Sequence, residues 1–406
     1  NGVCDIKIND DCLFDIRENE LFWVGEKDEN GNPYWEDSYH GSKRHIKVFD
    51  PERFETDDFK RADLSFSKIE NLGDNILRVY FENPDVCFKA GTVIQTRNIV
   101  RDQVGSFFER CKNLCFDNIR MKFMHGLGVV SQFCENVLFV NCDFTPAENR
   151  TIASTADFFQ FSGCKGELQI LNCVAYGAHD DYINVHGTHL RVVAENKRER
   201  TVTVRFMHNE TWGFNAFSKG DELEFIKWDT LKPYCTVKVE SFTRLNDTDI
   251  LLTLDSDLPN IEIGKDVVEN ATWTPDLYVR DCFFGQTSGR GILCTTRGKV
   301  VIENNKFFKL WGPALLVEDD CNFWFESGYT REITFKNNVV DSCDFGKTFK
   351  GAPVIRYTPK VMNEASKEFV HGKLVLSGNF FKNCYEGKHR IHLEYLEKAE
   401  IENNIF

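Results

Sequence analysis

Proline is scarce in this sequence, at 10 of 406 residues, and methionine is scarcer still at four. No stretch of about 18 apolar residues occurs, which excludes a helix that crosses a membrane. No segment carries a long run of apolar residues at helical spacing, so a helical bundle is excluded too. Paired C-x-x-C motifs are absent, and with them the usual framework of a structural zinc site. Basic residues do not predominate: 63 acidic against 49 basic side chains leave a net charge of −14. Such a chain repels a nucleic acid, an anionic membrane or a polyuronate unless a local basic groove intervenes.

What is abundant is aromatic. There are 36 Phe, in a chain that is 42% hydrophobic and 28% charged. That balance is globular rather than disordered, and the length allows a large core and more than one domain. The 15 Cys are odd in number, and several follow Asn or Asp inside apolar runs, as in Asn141-Cys142, Asn172-Cys173 and Asp281-Cys282. These read as small core residues rather than a disulfide framework. Beginning at Asn1 without a Met and ending in the strand-like Ala399–Phe406, the chain reads as trimmed at both ends.

A degenerate repeat organises the chain. Eight segments alternate apolar residues and then turn through Asn, Asp or Gly: Leu114–Ile119, Val137–Cys142, Leu168–Cys173, Leu277–Cys282, Val300–Asn305, Ile333–Asn338, Leu374–Asn379 and Ala399–Asn404. Their last residues step by 23, 31, 109, 23, 33, 41 and 25. A basic step near 23 suits one coil of a parallel β-helix, with strands stacked at about 4.8 Å. Asn after the strand tolerates the left-handed conformation at the bend and ladders with its neighbours. Such coils wind right-handed, as parallel crossovers do. The long step holds four period-two segments, Arg200–Phe206, Asp221–Trp228, Cys235–Phe242 and Asp249–Leu254, which predict a small antiparallel barrel or sandwich. A similar block lies over 45–98. The expected fold is all-β: a right-handed parallel β-helix with two inserted small antiparallel β-barrel-like domains. Residues 1–44 are expected as an N-terminal part of the helix, 45–98 as one inserted domain, 99–187 as coils, 188–275 as the second inserted domain, and 276–406 as C-terminal coils.

Chemistry concentrates in Gly177–Gly187. Adjacent Asp180 and Asp181 repel each other and are costly on a stacked surface without a reason. Asp157 precedes Asp180 by 23 residues, one basic step, provided the extra residues of that coil fall in the polar loop 145–153. Three carboxylates then converge, which suits glycoside hydrolysis: one protonates the leaving oxygen while another activates the nucleophile. The competing reading is an outward Asp/Asn ladder, with Ca²⁺ as its ligand. Aligning the next coil on Cys282 sets Arg290 above the pair, where it holds the carboxylates or binds sugar hydroxyls. Asn184 and His186 alternate with Ile183 and Val185 and so face outward as sugar-binding candidates. His189 reads as a structural start to the insertion. Trp324 and Glu326 offer a stacking platform and a hydroxyl acceptor, although an aromatic strand also suits the core. Trp212 is a candidate for the rim.

The runs Ala156-Asp157…Gln160–Gly166, Asp180-Asp181…Asn184–Gly187, Arg290–Thr296 and Trp324…Glu326–Gly328 together resemble glycoside hydrolase family 110. Its members are bacterial α-1,3-galactosidases that remove terminal galactose from blood-group-B-type and related glycans. The resemblance runs from about Ile94 to the C-terminus and implies a β-helix with inserted barrels. It also implies inversion of anomeric configuration with no metal and no cofactor, a glycan partner, a possible homodimer, and export to the periplasm or beyond. By motif, Asp157, Asp180 and Asp181 match the acidic trio. Asp180 is then the general acid, with Asp157 and Asp181 holding and deprotonating water. Two rivals stand beside this. A polygalacturonase-like hydrolase calls for several Lys and Arg along its groove, and around the trio chiefly Arg290 is found. A non-catalytic glycan-binding β-helix leaves the convergence of three Asp unexplained.

Overall fold

The structure, a computed structural model, describes residues 2–41, 44–58, 64–101, 103–345, 353–384 and 390–406. The chain divides into two compact units, Asn1–Asp102 and Gln103–Phe406. Among the described residues there is no helix.

The larger unit is the β-helix. Its first sheet stacks Val104–Glu109, Leu127–Gln132, Phe159–Ser162, Ile183–Thr188, Ile292–Cys294, Leu315–Val317, Ile355–Tyr357 and Ile391–Leu393 in parallel. A second sheet of eight strands runs from Lys112–Asp117 to Leu396–Glu402, and a third of six short strands from Asp143–Phe144 to Phe380–Lys382. Register follows the sequence pattern. Val137, Leu168, Leu277, Val300, Ile333 and Leu374 pair in series up the second sheet, all of them buried. Phenylalanines fill the bore: the rings of Phe284 and Phe307 stack 5.4 Å apart, and those of Phe307 and Phe335 5.8 Å apart. Close stacking of identical rings on successive coils explains why so Phe-rich a chain folds this way.

The corner after the second sheet is built as its sequence predicts. Asn118, Asn141, Asn172, Asp281, Asn304, Asn337 and Asn403 all have φ between 50° and 58°, and Gly378 takes the same place at 66°. Except in the first coil, where Ile119 is exposed, the next residue points inward. Asn305, Asn338 and Asn379 are buried, and each amide donates to a strand carbonyl of a neighbouring coil, at Val279, Ile302 and Phe335, at 2.9 Å. In the earlier coils cysteine fills that position. The Cys282 thiol reaches Ile170 O at 3.4 Å and the Cys142 thiol reaches Phe116 O at 3.3 Å. Thiol and amide interchange because each satisfies the same otherwise orphaned carbonyl. Nine of the fifteen cysteines are buried and all are free thiols.

The long step is a closed barrel of six antiparallel strands, Leu190–Asn196, Thr201–Arg205, Asp249–Leu254, Pro233–Arg244, Glu222–Ile226 and Val267–Asn270 in spatial order. The first and last of these close it and were not among the four segments read from the pattern. Its core, which includes Val192, Leu223, Phe225 and Leu252, is separate from that of the helix.

In the smaller unit the expectation for 1–44 fails. Val3–Lys7 pairs antiparallel with Ile76–Phe81 rather than stacking as a coil, and Phe14–Arg17, Glu20–Val24 and Glu36–Ser38 form an antiparallel sheet of their own. Together with Arg44–Asp50, Glu55–Asp58, Phe66–Gly73 and Val93–Asn98, these make three three-stranded sheets around one core that joins Leu21 and Tyr39 to Leu77 and Val79. The physical reason is pairing: the edges of these short strands are satisfied by antiparallel hairpin neighbours rather than by a stacked coil. The Asp63 end of the predicted 63–66 strand lies outside the described residues, and the strand itself runs Phe66–Gly73.

Candidate active site

The first sheet carries the polar cluster because its strands are short and end in tight bends. Asp157 lies just before Phe159–Ser162, and Asp180 and Asp181 just before Ile183–Thr188. The offset between these coils is 24, with Phe159 opposite Ile183, so Asp157 lies beneath Asp181 rather than beneath Asp180 as the step of 23 predicts. The extra residues of this coil do enter at the loop 145–153, where the pairing offset grows from 23 at Arg120–Asp143 to 30 at Met124–Ser154. Oxygens of Asp157, Asp180 and Asp181 all lie within 4.8 Å of one another.

Each carboxylate is held differently. Asp157 is 4% exposed, and its Oδ1 accepts the backbone N–H of Asp181 at 3.2 Å. Its own carbonyl accepts from Ser154 Oγ at 2.8 Å and from Gly128 N at 2.8 Å. Asp181, 1% exposed, accepts from Arg290 Nε at 2.6 Å, Arg290 Nη2 at 2.7 Å and the Arg290 backbone N–H at 3.0 Å. A bidentate fork of this kind fixes the carboxylate plane and supplies the compensating charge that burial demands. Burial still pushes the Asp181 carboxyl up to about 6, with Arg290 pulling down and the Asp180 charge pushing up. Asp180 is the most open of the three, and its Oδ1 lies 3.8 Å from Arg290 Nη2. Its carbonyl accepts from Thr287 Oγ1 at 2.5 Å. A Cβ at Gly289 would sit 2.4 Å from the Asp180 carbonyl carbon, so only glycine lets the two coils approach there.

The remaining predicted residues assemble on the same face. Asn184 Nδ2 donates to Glu326 Oε1 at 3.0 Å, and that carboxylate lies 3.8 Å from His186 Nε2. His186 donates from Nδ1 to Gly187 O at 2.6 Å, which leaves Nε2 to accept from the Gln160 amide at 2.7 Å. Glu326 arrives on the antiparallel strand Glu326–Ser327, which pairs with Gly187 and Thr188. Just before it, Asp320 accepts the backbone N–H groups of Asn322, Phe323 and Trp324 and so shapes the turn. Trp324 is 49% exposed, a rim residue and not a core one. Trp212 is exposed as well.

The sequence reading left out several contributors. Gln160 is the outward residue between Phe159 and Phe161, and that alternation was a usable signal. Gly289, Thr287 and Asp320 act through the backbone, which spacing alone does not reveal. His208, in the barrel, has its ring 4.6 Å from that of Trp324, a contact across 116 positions that no local pattern encodes. His189 is structural: wholly buried, it bonds Asp319 Oδ1 through Nε2 at 2.9 Å and anchors the segment that bears Trp324 and Glu326.

Chemically, the arrangement is a floor of three carboxylates with one arginine, walled by Asn184, His186 and Glu326 and edged by an aromatic. Over 98% of its length the chain is 35% identical to an alpha-1,3-galactosidase A of Akkermansia muciniphila, of which it covers 63%. It is 34% identical to an alpha-1,3-galactosidase A of Bacteroides fragilis, over 94% of this chain and 61% of that protein. With an alpha-1,3-galactosidase A of Bacteroides thetaiotaomicron it shares 37% identity, over 84% of this chain and 60% of that one. The chain thus spans about three fifths of the length of the curated relatives it matches. A family model described as GLAA-B beta-barrel domain II matches residues 201–268, inside the closed barrel. Matched along nearly its whole length by proteins named alpha-1,3-galactosidase A, the chain carries a barrel domain that fits glycoside hydrolase family 110.

Proposed function

We propose that this protein hydrolyses terminal α-1,3-linked galactose from glycans of blood-group-B type or from linear α-galactosyl chains, and that it inverts the anomeric centre. The observation that carries the reading is the convergence of Asp157, Asp180 and Asp181, from two neighbouring coils, with oxygens within 4.8 Å. The names of the relatives supply the sugar and the linkage. Asp180, the most open of the trio and partly offset by Arg290, is the general acid that protonates the departing oxygen. Asp157 and Asp181 face each other across the coil gap and together orient a water and take its proton. Arg290 keeps Asp181 ionised and aligned. Asn184, His186 and Glu326 bind hydroxyls of the terminal ring.

The reading predicts that Asp180→Asn lowers hydrolysis of galactosyl-α-1,3-lactose by about a thousandfold while the sugar still binds and the fold is kept. Full activity in that variant sinks the assignment of the acid. A second route rests on the tight spacing: inverting pairs usually stand about 6.5–9.5 Å apart and retaining pairs about 5–5.5 Å. In that route one carboxylate attacks the anomeric carbon and a covalent intermediate follows. Proton NMR of the first-formed galactose separates the two, β-anomer for inversion and α-anomer for retention. The workplace proposed with this reading is the periplasm or the outside of the cell, and burial of most thiols suits an oxidising setting. Burial also pushes the Cys164, Cys294 and Cys321 thiols up, away from reactive thiolate.

A further inference from the structure

We propose that the inserted barrel reads the sugar on the leaving-group side of the bond, through His208 set against Trp324. This rests on the exo-galactosidase reading and extends it to the part of the substrate that is not cleaved off. In an exo enzyme the terminal ring occupies the buried end of the site, at Asp157 and Asp181, so the next ring lies toward the mouth. Trp324 stands there, two residues before Glu326, which is tied to Asn184 at 3.0 Å. Its ring is half exposed, and the His208 ring meets it at 4.6 Å with a tilt of 40°. In contact at that angle, the two rings make a corner in which the exposed part of Trp324 is left to stack on the apolar face of a neutral pyranose.

His208 brings polarity as well. Its Nδ1 accepts the Glu210 backbone N–H at 3.3 Å, so the proton sits on Nε2. Among the described residues no partner takes that proton, and it is available to a sugar hydroxyl. The turn is fixed rather than loose. Thr211 N and Oγ1 both donate to His208 O, at 3.1 and 3.0 Å. Farther along the same loop, Arg244 holds Gly213 O at 2.9 Å, and Arg110 of the β-helix holds Asn215 O at 2.8 Å. Phe214 packs between Phe206 and Phe133, binding the loop to both domains. From the other side, Asp320 fixes Trp324 through its backbone, and His189–Asp319 fixes the segment to the start of the barrel. The corner is therefore preformed, which is what sugar recognition by stacking requires.

The test uses product inhibition of the whole chain acting on galactosyl-α-1,3-lactose. Galactose competes at the buried end and lactose at the mouth. In His208→Ala the inhibition constant for lactose is expected to rise by about tenfold while that for galactose moves by less than about twofold. Hydrolysis by the variant reports that it is folded. If both constants rise together, or neither moves, or lactose does not inhibit the unaltered protein, the inference is overturned with the galactosidase reading intact. If the unaltered protein releases no galactose, both fall.

Discussion

Asp181 keeps a carboxylate in a setting where burial alone would force protonation, and Arg290 is what makes this tolerable. With its carboxyl pushed up to about 6, hydrolysis that needs it ionised rises with pH through about 6. A pH–rate profile of kcat/KM should show that acidic limb, and Glu326→Gln should leave it in place. The same shift has a stability consequence. The ordinary value of 3.8 lies below the folded one, so Asp181 holds its proton more tightly when folded. As pH falls from about 6 toward 4, acidification favours the folded state at this site, and Asp181→Asn removes that slope. Replacing Arg290 by Met leaves a buried charge uncompensated and is expected to cost about 3–5 kcal/mol in denaturant unfolding, alongside loss of activity. Much of this chemistry was legible in the sequence. Asp180, Asp181, Asn184, His186 and Arg290 could be set on one face from strand alternation and a repeat of 23. The vertical partner of Asp157 was misjudged by one residue, because the offset between those coils is 24 and a one-residue difference in register leaves no trace in composition.

At the scale of the element, the inward column after each left-handed corner residue is the most demanding feature. Asn338 bonds Ile302 O and Asn379 Oδ1 while its own oxygen accepts from Asn305. Asn338→Ala leaves buried partners on two coils unsatisfied and should cost about 2–4 kcal/mol by denaturant titration. Cys282→Asn, by contrast, should cost less than about 1.5 kcal/mol, since Asn does the same work one coil later. This column was readable because a left-handed bend selects Asn, Asp or Gly whatever the surroundings. The sheets of residues 2–41 were not readable in that way: their short alternating strands suit a coil and a hairpin equally, and only the available partner decides. The segment 318–328 depends on His189. Burial draws that imidazole down, but Asp319, with Glu269 and Asp320 behind it, outweighs burial and leaves it raised above 6.5. Its stabilising contribution is complete below the unfolded value and is lost as pH climbs through the folded one. His189→Gln should abolish that alkaline loss in thermal melts taken across the range and weaken binding at the Trp324 rim.

For the molecule as a whole, every proposed site residue lies within 103–406, with a core of its own distinct from that of residues 2–101. A chain of residues 103–406 is expected to keep its far-ultraviolet β signature and its activity on galactosyl-α-1,3-lactose to within about tenfold, which circular dichroism and a galactose-release assay would check. The barrel is a different matter, because it interrupts the helix between two stacked coils. Leu168 and Leu277 face each other in register although 109 residues separate them, whereas the next pair, Leu277 and Val300, is 23 apart. Joining the distant pair through a slack chain would carry about 1.4 kcal/mol more closure entropy than joining the near one. The barrel removes that handicap, since its first and last strands pair at Leu190–Val268 and Arg191–Val267 and bring both ends of the insertion to one corner. Assembly is then expected to run from the middle outward, with the barrel closing early and handing the two halves of the solenoid to each other already aligned. Lesions in the strand Val267–Asn270 should therefore slow refolding of the helix well beyond their effect on equilibrium stability.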